Sequence, residues 1–482
     1  MLALRWLLVL IVLWLVNQIH LPASFGVKGL NAMNVLVLVA VVLVMVQNRG
    51  LPPSRTKTPL QAPILLFFFA LAYALVIGLL SDASAMSADF TIFKTGVFYI
   101  SLYFLFYHGV RDVATIRLLV AAILFVSVVA SLEAIREAID YGLAAYSETK
   151  RAAGPFGTDY RASNLAAVYF SIFLPLFVAV AFYLRDRPLV RFGAMGGVAL
   201  LVFAIFFTYS RQAYAIVAII GLLMALRKNL GIALLLSLAL WNYELWVPES
   251  AVERVQMTTQ ESSSDYGATE VEVDASTASR FELWQGGARM LAERPWGIGL
   301  NQWKRNIGDH SAYKNLDAHN FFVLISVEAG PIGMLAIGWL MIALFSLAFK
   351  QIRMATTAEA KTLAYGFMGA TLALAMGNMY GSRFLNGEVI GNYWVLAALS
   401  ARYMQLLRDG AMGMSQAAAA AAAEGQSLTS LRMPNGQRVR PETIQAMLDA
   451  EAADATPGAS SSHAAARPEK LLRDQYGRLI RS

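Results

Sequence analysis

Long apolar runs separated by short polar segments dominate the chain. Residues 35–46, 64–80 and 216–226 form three such runs, and they lack the alternation of apolar and polar positions that is typical of membrane barrel strands. A helix of about 20 apolar residues crosses the hydrocarbon core of a bilayer, because it satisfies its own backbone hydrogen bonds. The pattern therefore predicts an all-α polytopic membrane protein.

Hydropathy and length together predict about twelve transmembrane helices. They are expected near residues 2–21, 30–47, 62–80, 91–109, 115–136, 164–184, 191–209, 212–227, 230–247, 321–349, 361–380 and 387–407. The first run resembles a signal peptide, but its apolar stretch is long and no small-residue cleavage site follows it. We therefore expect it to be retained as the first helix.

The distribution of lysine and arginine predicts the orientation of these helices. If the N-terminus lies inside, every inside loop is basic, whereas most outside loops are short and weakly basic or carry Asp82 and Asp89. Basic residues favour the cytoplasmic side of a membrane protein. We therefore expect both termini to be cytoplasmic.

The lengths of the connections divide the chain into four parts. Residues 1–247 hold helices one to nine, and 248–320 form a large external loop domain between helices nine and ten. Residues 321–408 hold helices ten to twelve. Residues 409–482 are rich first in alanine and then in serine, glycine and proline, which predicts a largely disordered cytoplasmic tail.

The external loop changes character along its length. Its first half is acidic and polar, and we expect it to be mobile. In the second half, Ser279 and Glu282 have the spacing of a capping box, which predicts a helix from Ser279 to about Arg294. Arg280 would then lie at a helix N-terminus, where a cation is disfavoured unless an anion binds there. The loop is therefore a candidate anion-binding region.

Two residues at the predicted outer rim of the membrane are candidates for chemistry. Arg211 lies in a tight outside turn beside Tyr209 and Tyr214, where it either reaches the membrane interface or binds an anion. His319 precedes the tenth predicted helix, where it is either part of a polar helix start with Asn320 or a general base. Rim charges are costly and therefore informative.

Metal chemistry is not indicated. The chain has no cysteine, and its five histidines include only His310 and His319 in this region. Two histidines without a carboxylate at ligand spacing do not form a zinc site. We therefore expect no metal and no cofactor.

Several short motifs occur in a characteristic order. They are Ser210-Arg-Gln-Ala213, Arg280-x-x-x-Trp284, Pro295-x-Gly-Ile-Gly299, Ala318-His-Asn320 and Glu328-x-Gly-x-x-Gly333, preceded by a turn between Arg151 and Asn164. Each motif is weak alone. In this order, and all on the outside, they resemble the O-antigen ligase and O-antigen polymerase superfamily of bacterial polysaccharide assembly.

This resemblance implies a membrane glycosyltransferase. It would transfer a glycan from undecaprenyl pyrophosphate to an acceptor hydroxyl on the periplasmic face of the bacterial inner membrane, without a metal. His319 would be the general base, and Arg211 and Arg280 would bind the pyrophosphate leaving group. The expected substrate-binding residues are Arg161, Asn164, Tyr209, Tyr214, Trp284, Asn320 and Arg383.

Several functions remain open at this point. Within the superfamily, the motifs do not separate a ligase acting on lipid A–core from a polymerase of O-antigen or exopolysaccharide chains, or from a protein O-oligosaccharyltransferase. A transporter with twelve helices is a further alternative, but transporters carry ionisable residues near mid-membrane. Here the predicted helices are almost free of charge at that depth. The expected partners are the lipid-linked donor, an acceptor and the bilayer, with no nucleic acid.

Overall fold

The computed structural model describes residues 2–20, 31–49, 58–81, 85–143, 146–159, 162–256, 259–263, 269–273 and 275–423. The first half contains α1 (Leu2–Val16), α2 (Ala32–Asn48), α3 (Gln61–Leu79), α4 (Met86–Gly109), α5 (Val113–Tyr141), α6 (Ser163–Tyr183), α7 (Pro188–Phe207), α8 (Arg211–Lys228) and α9 (Leu230–Trp241). The second half contains α10 (Glu249–Gln256), β1 (Thr259–Ser263), β2 (Thr269–Val273), α11 (Ala275–Glu293), α12 (Trp303–Asn306), α13 (Phe321–Glu328), α14 (Gly330–Met354), α15 (Ala358–Met379) and α16 (Gly387–Ala423).

Six of the described helices, α3 to α7 and α14, are long and apolar enough to cross a membrane. Three further apolar helices, α1, α2 and α9, are shorter. The chain is therefore a multi-pass membrane protein. Helices occupy all twelve predicted positions, but the count of twelve transmembrane helices, their orientation and the side on which the large loop lies remain predictions.

The predicted helix boundaries differ most from the structure in three places. The ninth helix ends at Trp241, six residues early, and a short 3-10 turn follows it. The predicted tenth helix is broken into α13 and α14, because Gly330 adopts a left-handed φ of 61° and Pro331 cannot donate a backbone hydrogen bond. The last helix continues beyond residue 408 to Ala423, since alanine has the highest helix propensity. The rest of the predicted tail, 424–482, lies outside the described residues.

The predicted all-α class is confirmed by the helices of the bundle, with one short β-hairpin as the exception. Strands β1 and β2 pair in antiparallel fashion, with Thr259 opposite Val273 and Ser263 opposite Thr269. In β2, threonine and valine alternate with glutamate, which is the period of a strand. We interpreted this stretch by its acidic composition and missed the alternation.

Helix α6 is the centre of the helical bundle. Of the most apolar 18-residue stretch of α6, 83% is buried inside the protein. Its most extensive contacts are with α15 and α7. The small residue Gly377 of α15 lies against Val168 of α6, and Gly366 lies against Leu176, so the two helices are antiparallel. The beginning of α6 and the end of α15 therefore lie at the same end of the bundle.

The second half of the external loop forms a small hydrophobic core of its own. It consists of Leu283, Met290, Ile298, Trp303, Ile307, Ala318 and Val327. Trp284, Ala288 and Leu291 have the helical spacing of a shared apolar face in the sequence, but Ala288 is exposed. The buried face follows Leu283 and Met290 instead, because α11 packs against α13 and the turns that follow α12.

This external domain is joined to the helical bundle by polar contacts. Arg305 forms a salt bridge of 2.8 Å with Asp89, which is fully buried at the start of α4, and Asn301 Nδ2 donates to the same carboxylate at 2.8 Å. The backbone N–H of Leu300 donates to the carbonyl of Ala74 in α3 at 2.8 Å. The domain is thus held against α3 and α4.

The two parts approach each other closely at Gly299. Its φ is 105°, and a Cβ atom there would collide with the backbone of Gly78 in α3. We expect Gly299→Ala to destabilise the protein by roughly 2–4 kcal/mol, from backbone strain and overpacking together. The measurement is the thermal unfolding temperature of the detergent-solubilised protein, which should fall by several degrees.

The matched control for this substitution is Gly338→Ala. Gly338 lies within α14, and a Cβ atom there would meet nothing within 4 Å. Alanine is the better helix former, so the unfolding temperature should stay the same or rise slightly. Equal effects of the two substitutions would contradict the tight packing of Gly299 on α3.

Candidate active site

A polar cavity of about 220 Å³ lies where the external loop meets the end of the helical bundle. The turn before α8, the helices α10 and α11, the segment before α13 and the α15–α16 connection all contribute to it. Its lining residues are Glu148, Arg151, Asn164, Tyr209, Ser210, Arg211, Gln212, Arg254, Ser279, Arg280, His319, Tyr380 and Arg383.

The charge of the cavity is strongly positive. Five of its lining residues are arginines, and Glu148 is the only carboxylate among the lining residues that the structure describes. Guanidinium groups bind phosphate oxygens with two parallel hydrogen bonds. The lining is therefore suited to an anion that carries several negative charges.

One wall of the cavity is the turn between α7 and α8. Arg151 connects this turn to the beginning of α6. Its Nε donates to the carbonyl of Thr208 at 2.9 Å, and its Nη2 donates to Asn164 Oδ1 at 2.9 Å. Tyr209 adopts a positive φ of 50°, which costs free energy for a residue with a side chain. The contacts of Arg151 therefore maintain a strained turn.

Arg211 is the first residue of α8. A helix N-terminus carries partial positive charge, so an arginine there is disfavoured unless an anion is bound. We predicted this situation for Arg280, and that prediction was wrong. Helix α11 begins at Ala275 rather than Ser279, which places Arg280 in the second turn, and the argument applies to Arg211 instead.

His319 lines the same cavity and is held in place by its backbone. Its φ is 50°, a left-handed conformation that few non-glycine residues adopt. On one side, Trp284 Nε1 donates to the carbonyl of Ala318 at 2.8 Å. On the other, Asn320 caps α13 by accepting from the N–H groups of Phe322 and Val323. These two neighbours fix the position from which the imidazole projects.

The surroundings of His319 favour its neutral form. Burial lowers the pKa of the imidazole below its usual value of 6.5, and the charges of Arg280 and Arg383 lower it further. Asp317 acts in the opposite direction and raises this pKa. At neutral pH the imidazole therefore has a free lone pair, as a general base requires.

If His319 is the general base that the resemblance implies, this balance predicts how its activity depends on pH. A base must be neutral, so kcat/KM should fall only below the lowered pKa of His319, at a pH under 6.5. Asp317→Asn removes the charge that raises this pKa but keeps an oxygen for the His319 N–H. We expect the acidic limb of the kcat/KM profile to move to lower pH. The control is Asp309→Asn, which changes an exposed carboxylate of the same loop and should leave the profile where it is. A shift of the acidic limb to higher pH in Asp317→Asn would contradict the assignment of this limb to His319.

The remaining wall carries Arg280 and Arg383. The Arg280 guanidinium lies 5.7 Å from the centre of the Tyr380 ring, which in turn contacts Trp284. Burial lowers the pKa of Arg383, and its Nε atom has no hydrogen-bond partner among the described residues. A buried donor without a partner is costly. The wall therefore offers donors to a bound group.

The structure brings six of the ten predicted site residues into this cavity: Asn164, Tyr209, Arg211, Arg280, His319 and Arg383. Three others do not line it. Tyr214 donates to the carbonyl of Phe206 and faces an apolar cavity, while Trp284 and Asn320 hold the backbone around His319. Arg161 lies outside the described residues.

Sequence reasoning missed several lining residues. Of those that lie outside the motifs and the predicted capping box, Arg254 and Glu148 are charged and Tyr380 is aromatic. Arg254 lies in the acidic half of the loop, which we expected to be mobile. The sequence carries a signal for the helix alone, because Pro248 followed by Glu249 is typical of a helix start and α10 begins there, but it does not indicate that Arg254 lines the cavity.

The structure shows no metal centre in the part of the chain that it describes: no three His, Asp or Glu side chains are placed to hold an ion.

No curated protein matches the chain. Residues 153–338 match the family model described as O-antigen ligase. This segment contains Arg211, Arg254, Arg280 and His319. The resemblance found in the motifs is thereby confirmed over residues 153–338, a segment that is similar to the O-antigen ligase family.

Proposed function

We propose that the protein transfers a glycan from undecaprenyl pyrophosphate to an acceptor hydroxyl on the periplasmic face of the bacterial inner membrane. The observation that carries this proposal is the placement of His319 in the same cavity as five arginines. A base and a polycationic anion site are the two requirements for moving a sugar away from a pyrophosphate.

In the proposed reaction, the neutral imidazole of His319 takes the proton of the acceptor hydroxyl. The acceptor oxygen attacks the anomeric carbon, and the bond between that carbon and the pyrophosphate oxygen breaks. Undecaprenyl pyrophosphate leaves with the bonding electron pair, and Arg211 and Arg280 neutralise its developing charge. One displacement of this kind inverts the anomeric carbon.

A second cavity supports a lipid-linked donor. Its volume is about 740 Å³, and its lining is apolar, formed mainly by side chains of α6, α7, α8 and α9. The apolar cavity adjoins the polar one. Tyr214 of α8 lines the apolar cavity and Arg211 of the same helix lines the polar cavity, and the consecutive residues Val255 and Arg254 of α10 are divided in the same way. A polyprenyl chain beside an anionic head group would fit this arrangement.

The acceptor is the open part of the proposal. The resemblance leaves lipid A–core, a second lipid-linked glycan and a protein hydroxyl as candidates, and no described contact favours one of them. A transporter is less consistent with the structure, because the cluster of ionisable residues lies at the ends of the helices that contribute to it. Transport would place such residues near mid-membrane.

The test is reconstitution of the purified full-length chain in lipid vesicles with an undecaprenyl-pyrophosphate glycan and each acceptor in turn. Glycan on lipid A–core would identify a ligase, and a ladder of longer lipid-linked chains would identify a polymerase. Glycan on serine or threonine would identify a protein glycosyltransferase. The proposal would be overturned if the protein consumed no donor with any acceptor while its thermal unfolding transition showed that it was folded.

A further inference from the structure

The short helix α10 contributes to both cavities. Arg254 lines the polar cavity, and the next residue, Val255, lines the apolar one. Consecutive residues of one helix therefore lie where the two cavities adjoin. A lipid-linked donor changes from apolar to anionic at the bond between its polyprenyl chain and the first phosphate, and this bond would lie at the junction of the two cavities.

Helix α10 is fixed in this position by contacts with the turn between α7 and α8. The Tyr209 hydroxyl donates to Ser250 Oγ at 3.0 Å, and both Ser250 and Ala251 are buried, at 1% and 0% exposure. The Arg254 guanidinium lies 4.7 Å from the centre of the Tyr146 ring, which itself contacts Tyr209 edge to face. The position of Arg254 is thus built into the fold.

The charge around Arg254 is unbalanced in a way that favours an anion. Its Nε atom is buried and has no hydrogen-bond partner among the described residues. Burial lowers the pKa of the nearby Arg151, and the charge of Arg254 lowers it further. Two neighbouring guanidinium groups repel each other, and a phosphate between them would remove both the repulsion and the unsatisfied donor.

We propose that Arg254 is a donor-binding residue that holds the phosphate nearest the polyprenyl chain. The inference rests on the proposed function, since it assumes a lipid pyrophosphate donor. That phosphate stays attached to the lipid throughout the reaction. Arg254 therefore binds donor, transition state and lipid pyrophosphate product alike, which lowers the donor KM but does not accelerate the chemical step.

The first experiment measures the binding of farnesyl pyrophosphate and farnesyl monophosphate to the full chain in detergent. We expect Arg254→Gln to weaken both by roughly 10–100-fold, the usual cost of losing hydrogen bonds to a charged group. Arg254→Lys should recover part of the loss. The matched control is Arg294→Gln, since Arg294 is an exposed arginine of the external domain that lies outside both cavities, and it should bind as the wild type does.

The second experiment separates binding from catalysis and from packing. In the reconstituted transfer assay, Arg254→Gln should raise the donor KM and leave kcat within about twofold. Tyr146→Leu should weaken farnesyl pyrophosphate binding less, and the double variant should show less than the summed effect, because Tyr146 acts through Arg254.

The outcomes distinguish this inference from the proposed function. Suppose that the wild type binds farnesyl pyrophosphate and transfers glycan, and that Arg254→Gln has a normal unfolding temperature and does both equally well. The role of Arg254 is then refuted, while the proposed function stands. A fall in kcat without a change in donor KM would also refute it. If the wild type neither binds the probe nor consumes the donor, the proposed function fails and the inference fails with it.

Discussion

Replacing His319 with asparagine is expected to lower kcat by roughly 10²–10⁴-fold, the usual contribution of a positioned general base. Asparagine cannot accept the acceptor's proton, but it tolerates the left-handed backbone that His319 adopts at φ 50°. The fold should therefore survive the substitution. The measurement is the transfer rate in reconstituted vesicles at saturating donor, together with the unfolding temperature.

Two companion variants make this result specific. His310→Asn changes the other histidine of the external domain, whose ring contacts Glu293 at 3.0 Å outside the cavity, and it should transfer at the wild-type rate. His319→Gly removes the imidazole and relieves the backbone strain, so it should be inactive yet no less stable. A transfer rate above about one third of the wild type in His319→Asn would remove His319 from the reaction.

Replacing Arg211 with alanine is expected to lower kcat by roughly 10²–10³-fold, the cost of removing one preorganised donor from a developing negative charge. Arg211 adds its charge to the positive end of α8, so both act on the departing pyrophosphate. Arg211→Lys keeps the charge but lacks the planar pair of donors. We expect its rate to lie between those of alanine and the wild type.

The control for this series is Arg227→Ala at the other end of the same helix. Arg227 is exposed, and its Nε donates to the Tyr365 hydroxyl far from the cavity. It should leave the transfer rate unchanged. If Arg211→Ala instead raised the donor KM at constant kcat, Arg211 would have the binding role that we propose for Arg254, and the charge stabilisation would have to come from other residues.

The parts of the fold that hydrophobicity decides could be predicted from the sequence. Apolar length alone located a helix at every predicted position, because burial in lipid and backbone satisfaction leave few other structures. The errors fall where single residues decide. The break at Gly330 and Pro331 depends on local backbone geometry, and the strand β2 is short enough that its alternation was hidden by its charge.

The candidate site was predictable to the extent that its residues lie near recognisable motifs. His319 and Arg211 could be found because a histidine and an arginine at a predicted membrane rim are unusual. Arg254 and Glu148 could not, since each occurs among other charged residues, and only tertiary packing shows that they line the same cavity. Trp284 was identified, but its contact with the Ala318 carbonyl shows that it orients the backbone beside His319.

The mistake over Arg280 has a simple physical origin. The spacing of Ser279 and Glu282 matches a capping box, but a helix extends as far as its residues permit. Ala275 and the residues after it continue α11 by one turn. A short motif therefore located the helix correctly and its first residue incorrectly, which was enough to assign the helix-dipole argument to the wrong arginine.

The contacts of Gly299, Leu300 and Asp89 have a consequence for exchanging parts between relatives. A transplanted external loop would bring its own Gly299 and Arg305 but would meet a foreign α3 and α4, without Gly78 and Asp89 in register. The external loop is therefore not a detachable unit of the fold. A hybrid enzyme should keep α3, α4 and α13 from the same parent as residues 275–320.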